Sequence, residues 1–306
     1  MKSLQQIRII FFREYFNRRF SIYDRFRLGE IAGELPPAVE LIYSTDIGLL
    51  ETADVVIFDA PFAVYDIIKG IIPKYEEQIW VGWCLECEEN FPLLKEPLVR
   101  ECFEVWMTYH TDADIVLPYY DASFATDLLL PSSMPKQADV CMFVSSGFNQ
   151  SKRQEYLLEL MKYLPIDSYG NWQRNKQFPE DKGYRSKMEL LKRYRFTIAF
   201  ENAVGEDYVT EKFYEPLLSG SVPIYLGAPN IDDFSPSPSA FINVHDYPDP
   251  KDLAAVIQRY CEDEKMYAAF FDWKRQPMNP VFLQLLKEQE VHPFIRLINH
   301  LFGDLK

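Results

Sequence analysis

At 306 residues the chain exceeds one ordinary core and suits two domains of about 150 residues each. Its apolar fraction of 48% excludes a disordered chain, and its formal charge of −14 excludes a nucleic-acid partner, which needs a broad basic surface. No run of about 18 uncharged apolar residues spans a membrane, and the start, MKSLQQIRIIFF, has no signal-peptide cleavage pattern.

In chain order, short apolar runs without clean alternation predict strands at Arg8–Phe12, Val39–Ser44, Asp54–Asp59, Trp80–Trp83 and Ile115–Leu117. Such runs suit a parallel sheet covered on both faces. The stretch Arg8–Arg27 is basic and aromatic, with six arginines against Glu14 and Asp24. It reads as a strand followed by a solvated loop and helix. The sharper reading is a patch for an anionic membrane surface or for stacking an acceptor sugar. Pro131 and Pro135 flank Ser132 and Ser133 and mark the boundary between domains at 1–136 and 137–306. The second domain restarts with strands at Val140–Ser145, Ile166–Tyr169, Phe196–Phe200, Val222–Leu226 and Phe241–Val244. Helices are predicted over Ser151–Leu164, Lys187–Tyr194, Thr210–Ser219, Lys251–Asp263 and Phe282–Leu301. The last helix is one that can cross back to the first domain.

Five scattered cysteines favour reduced thiols in the cytosol. Cys84 and Cys87 have C-x-x-C spacing, with His110 as the nearest third ligand. No second pair completes a zinc site, so they read as core or pocket wall. Asp112-Ala113-Asp114 has the D-x-D form of manganese-dependent glycosyltransferases of another fold. It precedes an apolar strand and reads as structural.

Neither a Gly-x-Gly-x-x-Gly run nor a Walker A loop is present, so a bound phosphate must be held by side chains and a helix N-terminus. Thr210-Glu211-Lys212 offers free backbone N–H groups at a helix start plus a point charge, with Tyr208 as a hydroxyl donor. The plain alternative is a helix cap, with Thr210 or Asp207 at the N-cap. Arg153 sits within the first turns of a helix, seven residues after Ser146, and a guanidinium grips two phosphate oxygens at once. Glu201 and Asn202 close an apolar strand, where they can meet ribose or base donors. Glu86 ends the strand Trp80–Trp83, and its neighbours Glu88 and Glu89 would push its pKa upward, which suits a general base.

The ordered run AFENAVGEDYVTEK, then VPIYLG, then FSPSPSAFI resembles the donor-binding motif of the α-1,3-fucosyltransferases, with Ala203 where that family usually has Ser. The resemblance covers roughly Trp80 to Trp273. It implies the GT-B architecture: two Rossmann-like domains facing each other across a cleft, the first binding acceptor and the second binding GDP-fucose. It implies donor contacts from Arg153 (with Ser146 replacing the family's Asn), Tyr169 of the D-x-Y-G strand end, Arg195, Glu201, Asn202, Tyr208, Thr210, Glu211 and Lys212. Trp80–Glu86 resembles the family's W-V-x-x-x-x-E, whose carboxylate is the expected base, with Glu88 as the second choice. The implied reaction is inverting transfer of L-fucose from GDP-β-L-fucose to a hydroxyl of N-acetylglucosamine (GlcNAc) in a lactosamine or Lewis-type glycan, in α-1,3 or α-1,4 linkage, with no essential metal. Lacking an obvious anchor, the chain looks like the family's soluble bacterial branch, cytoplasmic or peripheral to the inner membrane.

Other readings stay open on the residues alone. Glu86 and Glu201 could be the paired carboxylates of a glycoside hydrolase. The chain could also be a glycan-binding protein that has lost catalysis, or a transferase using another sugar nucleotide.

Overall fold

The computed structural model describes residues 5–12, 39–131, 134–178 and 182–303. The basic aromatic stretch beyond Phe12, up to Arg27, lies outside the described residues, as do Ser132 and Ser133. The chain forms an α/β fold with two all-parallel sheets, as its apolar runs predict. The first sheet contains β1 (Gln5–Phe12), β2 (Val39–Ser44), β3 (Val55–Asp59), β4 (Ile79–Cys84), β5 (Val105–Thr108) and β6 (Ile115–Val116). Their order is β2-β1-β3-β4-β5-β6, every pair parallel. The second contains β7 (Ala138–Met142), β8 (Asp167–Ser168), β9 (Tyr194–Phe200), β10 (Val222–Leu226) and β11 (Ile242–Asn243), in the order β11-β10-β9-β7-β8. These pairs are parallel too.

Both faces of each sheet are buried, which is why its strands are apolar without a strict period of two. On the first sheet Ile7, Ile9, Phe11, Val55 and Ile57 pack against Phe294, Leu297 and Ile298 of the helix Pro293–Phe302. The alternate residues Ile10, Val56 and Phe58 pack with Ala63, Val64 and Ile67 of the helix Ala60–Ile68. Each large side chain so buried contributes roughly 1.5–3 kcal/mol. On the second sheet Met142, Ile198, Phe200 and Ile224 meet Leu157 and Leu160 on one side. Ala199 and Tyr225 meet Phe213, Tyr214 and Leu217 of the helix Glu211–Ser219 on the other.

The chain divides into two compact units, Met1–Pro118 with Val291–Lys306, and Tyr119–Glu290. The division falls ahead of the 136/137 boundary expected from the Pro–Ser cluster, because Tyr120, Phe124 and Leu128 are buried in the second unit's core. The expected single helix Phe282–Leu301 is two, Pro280–Lys287 and Pro293–Phe302, and they belong to different units. Pro293 ends the continuity: it cannot donate to the preceding turn, and it begins a new helix capped by His292 Nδ1, which accepts from Phe294 N at 3.2 Å. The segment after β3 starts a helix for a related reason, Pro61 sitting at the first turn of Ala60–Ile68. Strand β5 was not predicted.

Candidate active site

In the second sheet β8 lies to one side of β7 and β9, β10 and β11 to the other, so the strand order reverses between β7 and β9. Ligands of open α/β sheets bind outside the carboxyl ends of the strands at such a point. Here the loops after β7 and β9 are stitched together. Ser151 Oγ donates to Glu201 O at 2.6 Å and Ser151 N to Asn202 O at 3.2 Å. Gln150 Oε1 accepts from Val204 N at 2.8 Å.

Glu201, 0% exposed, is the hub of this end. Its Oε1 accepts from Thr210 N at 2.8 Å and its Oε2 from Thr210 Oγ1 at 2.9 Å. Lys212 Nζ lies 3.3 Å from the same Oε2, with Thr210 Oγ1 at 3.0 Å and Glu211 Oε1 at 3.1 Å. Burial pushes the Glu201 carboxyl above its usual range, and Lys212 and the Thr210 donors only partly offset this. For Lys212 burial works the other way, yet Glu201 and Glu211 outweigh it and hold the ammonium protonated. Although 41% of the Glu211 side chain is exposed, the protein packed around its carboxyl opposes ionisation, and Lys212 and Lys187 outweigh this and leave the carboxyl below the usual value. Thr210 is the N-cap of the helix Glu211–Ser219, its hydroxyl accepting from Lys212 N at 3.4 Å. The helix start and the charge expected to hold phosphate therefore coincide. Gly227 follows β10 where a Cβ would come within 2.7 Å of Glu201 Cγ, so a side chain there is excluded.

Arg153 begins the helix Arg153–Leu160 and is 1% exposed. It donates from Nη1 to Phe200 O at 3.1 Å and from Nη2 to Ser146 O at 3.1 Å and Phe148 O at 3.3 Å. Its Nε is buried without a hydrogen-bond partner. A guanidinium that ties three carbonyls at the strand ends holds the shape of this crevice. Arg153, Glu211 and Lys212 line one small cavity of about 30 Å³ with Phe143, Lys187 and Glu215. Lys187 pairs with Glu215; neither residue carried a sequence signal.

The remaining expected donor residues fall in three places. Asn202 and Tyr208 are buried beside the hub, Tyr208 packing edge-on to Tyr119 at 6.4 Å between ring centroids. Tyr169 stacks on Phe143 at 5.4 Å, and its hydroxyl is engaged by Tyr194 at 2.9 Å. Gly170 follows it because a Cβ there would lie 2.0 Å from Val144 O. Arg195 is not gathered with the others. It opens β9, the amino end of the strand, about 20 Å from Glu201 at roughly 3.3 Å per residue. There it pairs with Glu264 and Asp139 and lies over the Tyr267 ring at 4.9 Å. A parallel strand separates its two ends, and adjacency in sequence does not carry Arg195 to the ligand side.

In the first unit Glu86 follows β4 and is half-buried, its carbonyl accepting from Cys84 Sγ at 3.1 Å. Glu88 is held by His110 Nε2 at 2.6 Å and Tyr109 OH at 2.5 Å. Burial would raise its carboxyl, but these two partners lower it to about 2. A carboxyl that weakly basic suits proton abstraction near neutrality poorly, which favours Glu86 over Glu88. Cys84 and Cys87 are free buried thiols, and burial pushes Cys87 up to about 11. Asp114 Oδ2 accepts from Trp106 N at 2.8 Å, bracing β5. Among the described residues no group of three or more His, Cys, Asp or Glu is gathered as a metal site.

Residues 133–301 match the glycosyltransferase family 10 (fucosyltransferase) C-terminal domain, and residues 8–120 match the fucosyltransferase N-terminal domain. The chain belongs to glycosyltransferase family 10. It is 36% identical over 212 residues to GDP-fucose protein O-fucosyltransferase 3 of Xenopus laevis, covering 63% of this chain and 45% of that protein. It is 32% identical over 229 residues to alpha-(1,3)-fucosyltransferase B of Drosophila melanogaster, covering 69% of this chain and 52% of that protein. The chain thus spans about half the length of these curated relatives. They are animal proteins and give the expected bacterial branch no support. A crystal structure of alpha1,3-fucosyltransferase with GDP-fucose superposes with a TM-score of 0.68 at 17% identity, covering 100% of this chain and 93% of that one. That likeness makes the fold of this family 10 chain GT-B. Among the described residues no helix is long and apolar enough to cross a membrane.

Proposed function

We propose that this family 10 chain transfers L-fucose from GDP-β-L-fucose to an acceptor hydroxyl with inversion. The observation that carries the reading is the Glu201–Thr210–Lys212 cluster at the helix start beside the strand-order reversal. It sets a protonated ammonium and the positive end of a helix where a departing diphosphate gathers charge. Arg153 shapes the same crevice through its carbonyl bonds. Glu86 removes the proton from the acceptor hydroxyl as the fucose–phosphate bond breaks, and the leaving GDP takes up the negative charge. Lys212 and the helix N-terminus stabilise that charge, and no metal is required in this scheme.

The likeness to alpha-(1,3)-fucosyltransferase B supports an α-1,3 linkage, and the acceptor proposed with it is a hydroxyl of GlcNAc in a lactosamine-type chain, with α-1,4 linkage as the alternative. The likeness to GDP-fucose protein O-fucosyltransferase 3 supports a second reading, a hydroxyl carried by a protein. The hydrolase alternative is disfavoured because both oxygens of Glu201 are occupied and buried. Incubation with GDP-fucose and either a GlcNAc-terminated oligosaccharide or a folded protein acceptor, followed by mass spectrometry, tests the proposal. Release of GDP with one fucose added to the acceptor supports transfer. Nucleotide left intact with both acceptors contradicts it.

A further inference from the structure

Three oxygens surround Lys212 Nζ: it donates to Thr210 Oγ1 at 3.0 Å and Glu211 Oε1 at 3.1 Å, and it forms an ion pair with Glu201 Oε2 at 3.3 Å. A phosphate oxygen that approaches the cation competes with these oxygens for it.

The two carboxylates differ in their freedom to leave. The Glu201 side chain is wholly buried, bonded to Thr210 through both oxygens, and confined beside Gly227. Pulling it from Lys212 would strand a charge away from water, a heavy penalty. The Glu211 side chain is 41% exposed against 0% for Glu201, so it can turn to solvent at the smaller cost. Lys187 lines the same cavity and offers the displaced carboxylate a favourable field.

We propose that Glu201 is a positioning residue that fixes Lys212 at the helix N-terminus, while the Glu211 carboxylate stands in for a phosphate oxygen until the diphosphate displaces it. The inference rests on the reading of this cluster as the diphosphate site. It assigns opposite effects to two neighbouring carboxylates. Removing the stand-in removes a competitor, whereas removing the anchor loosens the cation.

The test is calorimetric titration of wild type, Glu211→Gln and Glu201→Gln with inorganic pyrophosphate, guanosine and GDP in EDTA. Pyrophosphate should bind Glu211→Gln roughly two- to fivefold more tightly than wild type. It should bind Glu201→Gln about tenfold more weakly, with guanosine affinity unchanged. A merely structural role for Glu201 would weaken guanosine and pyrophosphate alike. Weaker pyrophosphate binding by Glu211→Gln would overturn the stand-in. Unchanged binding by Glu201→Gln would overturn the anchor. If Glu201→Gln does not fold, the Glu211→Gln result decides the proposal. Wild type that binds neither GDP nor pyrophosphate would refute the diphosphate reading beneath it.

Discussion

His110 Nε2 lies 2.6 Å from Glu88 Oε1, joining the loop after β5 to the loop after β4 that carries Glu86. Tyr109 OH reaches the other oxygen of Glu88 at 2.5 Å. The segment bearing the proposed base is thereby braced from a neighbouring strand.

That brace has a pH signature. Glu88 titrates at about 2 in the folded chain against an ordinary value of 4.5. Its contribution is therefore present above about pH 4.5 and lost as pH falls toward 2, with a full size of about 3 kcal/mol. Glu88→Gln should be less stable than wild type by about that amount at pH 7, and the gap should narrow toward pH 3. Urea unfolding across that range checks it. A gap independent of pH would mean that the Glu88 charge is not what matters.

Arg153→Lys keeps a cation but cannot span Phe200 O, Ser146 O and Phe148 O. Buried carbonyls left without donors cost about 1–3 kcal/mol each. The variant should lose about 2–4 kcal/mol of stability, and GDP affinity should fall about tenfold or more. Thermal melts with GDP titration measure both. A variant of wild-type stability would show that the three carbonyls do not depend on the guanidinium.

Gly227→Ala brings a methyl to within 2.7 Å of Glu201 Cγ and 2.3 Å of Tyr225 OH. Two buried groups must shift, at a cost of about 1–3 kcal/mol. Because Glu201 holds Lys212, GDP binding should weaken as well as stability, and a melt and a titration read the two effects. An alanine variant with normal GDP affinity would disconnect Gly227 from the diphosphate site.

The strands were legible because burial on both faces leaves unbroken apolar runs, as in Val55–Asp59 and Val222–Leu226. Strand β5 was not, since Val105–Thr108 is four residues long and ends in a threonine. The helix start at Thr210 was legible from its cap chemistry, and the hub formed by Glu201 was not. Sequence pointed Glu201 at ribose or base, but its partners Thr210 and Lys212 lie on the helix that follows, and only folding turns the carboxylate inward. His110 was weighed as a zinc ligand; its role as the partner of Glu88 depends on β4 and β5 being neighbours, which spacing along the chain does not reveal.

Glu86→Gln keeps size and loses basicity. Turnover should fall by about 10²- to 10⁴-fold while the Kd for GDP stays within twofold. Steady-state rates with GDP-fucose, paired with GDP titration, separate the two. Turnover near that of wild type would assign the proton transfer to another group.

The proposed transfer depends on a guanosine diphosphate site built on Glu201, Thr210, Lys212 and Arg153. Calorimetric titration of the purified chain with GDP, UDP and ADP in EDTA tests it most directly. Saturable one-to-one binding of GDP is expected, with UDP and ADP weaker by at least about tenfold. Equal binding of all three nucleotides, or none of any, would contradict it.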